Sequence, residues 1–204
     1  MRPADNPFRI SRVHALPFLW PPTEDFSTLC KRWESNHRRG AIQGPHGQGK
    51  STLLKEWQAL LTQRGWNVEP LVLTEDQPRL EKELFTKRAP HWDSSTIVTL
   101  DGAERLPMLT RIRFYKAARR AGGLIITRHR RGPLPTLLHC QTTWPQVLTL
   151  ATKLLGKPPD PKTEDFLHTR YRERKGEVRL VWRDIYDYVG RWSTLPEAGK
   201  PPPQ

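Results

Sequence analysis

Gly44-Pro45-His46-Gly47-Gln48-Gly49-Lys50-Ser51 follows a short apolar run at residues 40–43 and leads through Thr52 into a helical pattern. Two glycines, a lysine and a hydroxyl at this spacing suit phosphate. Glycine lets backbone N–H groups converge on phosphate oxygens with no Cβ in the way. The helix that begins behind the loop adds its positive dipole end. Lys50 reaches the β- and γ-phosphates as a point charge, Ser51 offers a hydroxyl to Mg²⁺, and Thr52 lies where the α-phosphate would sit. The stretch Gly44 to Thr52 (Gly44, Pro45, His46, Gly47, Gln48, Gly49, Lys50, Ser51, Thr52) therefore implies a nucleoside triphosphate with magnesium. A dinucleotide fingerprint starting at Gly47-x-Gly49 would need a small residue where Thr52 stands, and is excluded.

Outward from the loop the pattern alternates. Leu53, Leu54, Trp57, Leu60 and Leu61 recur at i, i+1, i+4, i+7 and i+8, an amphipathic helix that Gly65 ends. Residues 68–73 read as a second strand and 78–89 as a charged helix. Residues 96–100 form an apolar, β-branched run that closes on Asp101. A basic helix over 109–121 stops at Gly122-Gly123, and 124–127 is another apolar strand. Strands alternating with helices imply an α/β fold, three-layer α/β/α with a mostly parallel sheet. A fifth strand is expected at 140–143. Pro145 suits the first turn of a helix running to Leu155.

The flanks are less regular. Five prolines within residues 1–22 imply an extended segment, with a short strand near 12–15. Thr23 reads as the cap of a helix that buries Phe26, Leu29, Cys30 and Trp33. The Gly/Pro break at 156–161 sets a boundary, followed by helices over 163–174 and 177–192 and a Pro/Gly tail. The expected organisation is a leading segment 1–22, a nucleotide-binding domain 23–156, a small helical lid 157–193 and a disordered tail 194–204.

Four polar positions beyond the loop carry chemistry. Asp101, about 50 residues past Lys50, is the expected carboxylate for Mg²⁺ alongside Ser51. Glu104 is either a base that orients the attacking water or a solvated residue at a helix start. Thr127, Arg128 and His129 end a strand, and Arg128 is the chosen γ-phosphate sensor among them. Arg179 opens the last helix, where a lid would bring it near the phosphates. Each arginine has a plain alternative as a surface charge.

The chain resembles the additional-strand P-loop ATPases, within them the AAA+ and STAND group. The resemblance covers residues 15–192 and rests on the Walker A motif Gly44 to Ser51 and the Walker B strand ending at Asp101. Thr99-Leu100-Asp101-Gly102-Ala103-Glu104-Arg105-Leu106 is similar to the Asp-Gly-Leu-Asp-Glu-Leu signature of STAND proteins. Gly176-Glu177-Val178-Arg179 is similar to the second sensor of an AAA+ lid. Gly102 departs from the family, which mostly has Glu after the Walker B Asp. The resemblance implies an ATP-binding, Mg²⁺-dependent hydrolase, slow for lack of that Glu, with Lys50, Glu104, Arg128 and Arg179 as catalytic candidates. Neither a transporter signature (Leu-Ser-Gly-Gly-Gln) nor an Asn-Lys-x-Asp guanine motif occurs, so ATP is expected over GTP.

The 204 residues carry a net charge of +13 and only two cysteines, Cys30 and Cys140, in no metal-ligand spacing, so both read as buried thiols. The charge points to an anionic partner, with nucleic acid among the candidates. Arg130 and Arg131 suit an arginine finger in a homo-oligomer. No run approaches the roughly 20 apolar residues of a membrane span, and residues 1–8 lack an apolar signal core, so a cytoplasmic protein without membrane contact is expected. Three functions compete. The first is an AAA+/STAND-like switch or motor with a separately encoded protein partner and DNA as a candidate ligand. The second is a small-molecule kinase. The third is a nucleic-acid-binding module that keeps the nucleotide for structure.

Overall fold

A computed structural model describes residues 2–192. The expected tail, 194–204, lies outside them. The elements in chain order are α1 (Ile10–His14), α2 (Phe26–Ser35), β1 (Arg39–Gln43), α3 (Lys50–Gln63), β2 (Asn67–Val72), β3 (Thr96–Asp101), α4 (Met108–Ala118), β4 (Gly123–Arg128), β5 (Thr136–His139), α5 (Trp144–Leu155), α6 (Pro161–Glu173) and α7 (Val178–Trp192). The chain divides into two units. A sheet unit comprises Phe18–Pro45 and Gly49–Gln141. A helical unit comprises residues 2–17, His46–Gln48 and residues 142–192.

The sheet unit is built on five strands in the order β2-β3-β4-β1-β5, every adjacent pair parallel. β3 and β4 sit inside the sheet, so their apolar, β-branched runs bury both faces. β2 carries Pro70, which has no N–H to give, and lies at the edge, where a missing donor is tolerated. Alternation along the strands sorts the core into two layers. Ile42, Ile97 and Ile125 face α2 and α3, packing with Leu53 and with Trp33 and Trp57, whose rings meet edge to face at 5.6 Å. Ala41, Val98, Leu100, Leu124 and Ile126 face the other way, against Phe114 and Ala118 of α4 and Trp92.

In the helical unit, α5 begins with a capping box in which Thr143 and Gln146 exchange bonds to each other's backbone. Pro161 opens α6 behind Asp160, whose carboxylate accepts from the N–H groups of Lys162 and Thr163. Residues 2–17 join this unit through Phe8, stacked on Trp182 at 5.9 Å, and through Asn6 Nδ2, which donates to the Tyr186 carbonyl at 2.9 Å.

Four local expectations are corrected. Residues 10–14 are a helical turn, not a strand. The first long helix is capped by Asp25, which accepts from Thr28 N–H at 2.7 Å, two residues later than Thr23. The charged stretch 78–89 forms only a π-type turn, Leu84–Arg88, followed by a 3₁₀ turn, Ala89–His91. Leu84 and Ala89 are the two residues it buries, too little apolar contact to propagate a helix. The fifth strand is Thr136–His139 rather than 140–143, because Leu137 and Leu138 both have a core to enter.

Candidate nucleotide site

In the sheet unit, β1 delivers the loop. Gly44 N–H still donates to the Arg128 carbonyl at 3.2 Å, so the ladder runs to the loop's first residue. Gly49 then caps α3 with φ +79°, a left-handed backbone that side chains resist. A Cβ there would also lie 3.2 Å from the Phe18 ring. Lys50 is 7% exposed, and its Nζ donates to the Pro45 carbonyl at 2.5 Å. The loop thus curls around its own ammonium. Ser51 is exposed and Thr52 half-buried on the first turn of α3.

The acid stands on β3. In register, Leu100 pairs with Ile126, which brings Thr127 beside Asp101. Thr127 Oγ1 donates to Asp101 Oδ1 at 2.5 Å and accepts from Gly102 N–H at 2.8 Å. One 3₁₀ turn on, Glu104 Oε1 lies 3.1 Å from His129 Nε2, both side chains partly buried. Oxygen donors of this kind, a hydroxyl at Ser51 and a carboxylate at Asp101, suit a hard cation such as Mg²⁺. Among the described residues no cluster of three or more His, Cys, Asp or Glu could hold a metal ion.

Arg128 is placed differently from the sensor expected of it. Alternation along β4 sends it to the α4 side, opposite Thr127 and Asp101. There it is buried, donating through Nη2 to the Leu134 carbonyl at 2.8 Å and to Thr136 Oγ1 at 3.1 Å. Thr136 passes the bond on to Gln43 Oε1 at 2.9 Å. Burial lowers the Arg128 pKa and raises that of neighbouring Tyr115. Arg128 therefore props the loop between β4 and β5, on which Arg130 and Arg131 stand exposed. The residue that touches the acid is Thr127. Strand parity is the signal that distinguishes the two.

In the helical unit, the loop tip His46–Gln48 meets the start of α7. Gly47 has φ +68°, and a Cβ on it would lie 3.0 Å from both Arg179 N and Glu177 Cγ. Gln48 is buried. Its Nε2 donates to the Gly176 carbonyl and its Oε1 accepts from Thr142 N–H at 2.6 Å. Tyr171 OH donates to the Thr142 carbonyl at 2.9 Å. The Arg179 backbone thus borders the tip, with its guanidinium exposed 3.7 Å from Glu177 Oε1. Nothing in the motif marks Gln48 as more than a variable position, so its two bonds are visible only in the folded chain.

Both cysteines are buried free thiols. Cys140 follows β5 and donates its N–H to the Gln43 carbonyl at 2.6 Å. Burial pushes its thiol up to about 12, Lys50 nearby opposing only in part. A raised thiol pKa favours the neutral, unreactive form at every pH below it. Cys140 is expected to resist iodoacetamide in the native protein at pH 8 and to react within minutes in guanidinium, as mass spectrometry of the alkylated peptide would show. Native labelling as fast as that of the unfolded chain would contradict the burial.

No protein-family model matches the sequence, and no curated protein matches it. Solved structures do match. AMPPCP-bound DnaA from Aquifex aeolicus superposes with a TM-score of 0.57 at 15% identity, over 87% of this chain and 67% of that one. Drosophila ORC bound to DNA gives 0.46 at 11%, over 80% of this chain and 59% of that one. The fold is that of an AAA+-like P-loop domain. Here β4, which bears Thr127, lies between the loop strand β1 and the acid strand β3. Among the described residues no helix is long and apolar enough to cross a membrane.

Proposed function

We propose that this chain binds ATP with Mg²⁺ and hydrolyses it slowly, as an AAA+/STAND-like switch that works with a protein partner. The observation that carries this is the Asp101–Thr127 pair. It sets a fixed carboxylate at the end of β3, on the sheet face covered by α3, whose first residue is Lys50. Lys50 and the loop N–H groups bind the phosphates, and Ser51 and Asp101 hold Mg²⁺. The ion neutralises phosphate charge when bound. Thr127 keeps the carboxylate oriented. Glu104 acts as base on the attacking water, pinned between turnovers by His129. Arg179, whose backbone borders the loop tip at Gly47, serves as the lid arginine.

Slow turnover follows from Gly102 standing where a direct acid would be, which leaves the base three residues past Asp101 on a separate turn. The purified protein is expected to bind ATP and to form ADP and phosphate with Mg²⁺ alone, with no acceptor added. ADP formation that appears only with a nucleoside or metabolite acceptor would replace this reading with that of a kinase. Absence of ATP binding in titration calorimetry would remove it.

A further inference from the structure

Helix α4 turns Phe114 and Ala118 into the core, and leaves its other side to solvent with an unusual composition. Met108 is 68% exposed, Leu109 82% and Ile112 56%. Lys116, Arg119 and Arg120 are also exposed. At about 100° per residue, all six fall within one stripe roughly 120° wide, continued through the last turn. The stripe is sorted along its length, aliphatic in the first half and cationic in the second, over about 18 Å of α4 and the turn that follows it at Arg119 and Arg120. Arg113, on its border, lies over the Phe85 ring at 4.4 Å.

We infer that this stripe docks an acidic amphipathic helix of a partner protein, with leucine-like side chains in one half and carboxylates in the other. The sorting selects the occupant. Nucleic acid would engage the cations and leave three large aliphatic side chains wet. A lipid surface favours an apolar ridge with cations to either side of it, whereas here cations occupy the ridge itself for half its length. A second copy of a chain with net charge +13 brings mainly like charge. A helix laid along α4 with apolar residues over Met108, Leu109 and Ile112 and acids over Lys116, Arg119 and Arg120 satisfies both halves together. The inference is independent of nucleotide binding, so its failure and that of the ATPase reading are separable.

The test uses the full chain and two synthetic alanine-based helical peptides of about 15 residues. One has leucines in one half and glutamates in the other. The second has the same composition interleaved. By fluorescence anisotropy the sorted peptide is expected to bind about tenfold tighter, the equivalent of one well-buried apolar contact. The advantage should vanish in Leu109→Ser/Ile112→Ser and, separately, in Lys116→Glu/Arg119→Glu, and persist in Lys50→Ala. All four substituted stripe positions are exposed, so the variants keep the parent melting temperature. Equal binding of the two peptides overturns the inference. So does a serine variant that retains the advantage, one that breaks up a self-associated species, or one that instead loses binding to phosphatidylserine vesicles.

Discussion

Replacing Lys50 with alanine is expected to lower ATP affinity about a hundredfold while the fold persists, since a charge-assisted contact to phosphate is worth roughly 1.5–3 kcal/mol and Lys50 can supply more than one. Lys50 is already only 7% exposed, and its ammonium donates to the Pro45 carbonyl at 2.5 Å. Phosphate therefore meets a side chain held in place, with little rotamer freedom left to lose. Alanine leaves the Pro45 carbonyl without this donor, but Pro45 is solvent-exposed and water can replace it, so the thermal midpoint moves little. Titration calorimetry with AMPPNP measures the first effect and circular dichroism the second. Affinity within threefold of the parent would mean that the loop does not hold the phosphates.

Much of this site is legible in sequence because each of its signals is local. Gly49 at the loop's end meets a backbone need at a fixed distance from Lys50. The runs that become β3 and β4 are mostly apolar because both strands are interior, and such runs stand out from the charged chain around them. Signals that depend on a partner distant in sequence do not show. Thr127 and Arg128 are adjacent polar residues, and only the pairing of β3 with β4 decides which one touches Asp101. Strand parity, with Ile125 facing α3, already points to Thr127. Choosing Arg128 follows charge where geometry decides. The same limit hides His129 from Glu104 and Gly176 from Gln48. The charged stretch 78–89 shows the opposite failure, since helix-forming residues without enough buried anchors leave only short turns.

The Glu104–His129 pair carries the largest kinetic expectation. Glu104→Gln keeps the shape and the hydrogen-bonding oxygen but cannot accept a proton. Loss of a positioned base typically lowers turnover by about 10²–10⁴-fold. ATP affinity should stay within about twofold, since Glu104 is not a proposed ligand of phosphate or magnesium, and this separates the variant from Lys50→Ala. His129→Ala should act in the other direction. At 3.1 Å, Nε2 occupies Oε1 of the carboxylate and competes with the attacking water for that oxygen. Releasing it is expected to raise single-turnover hydrolysis a few-fold, and the double variant should be as slow as Glu104→Gln alone, because the proposed brake works through the carboxylate. Phosphate release under single-turnover conditions reads all three. A Glu104→Gln protein that hydrolyses like its parent would return Glu104 to an ordinary turn residue. A His129→Ala protein slower than its parent would make the histidine a support for the base rather than a brake on it.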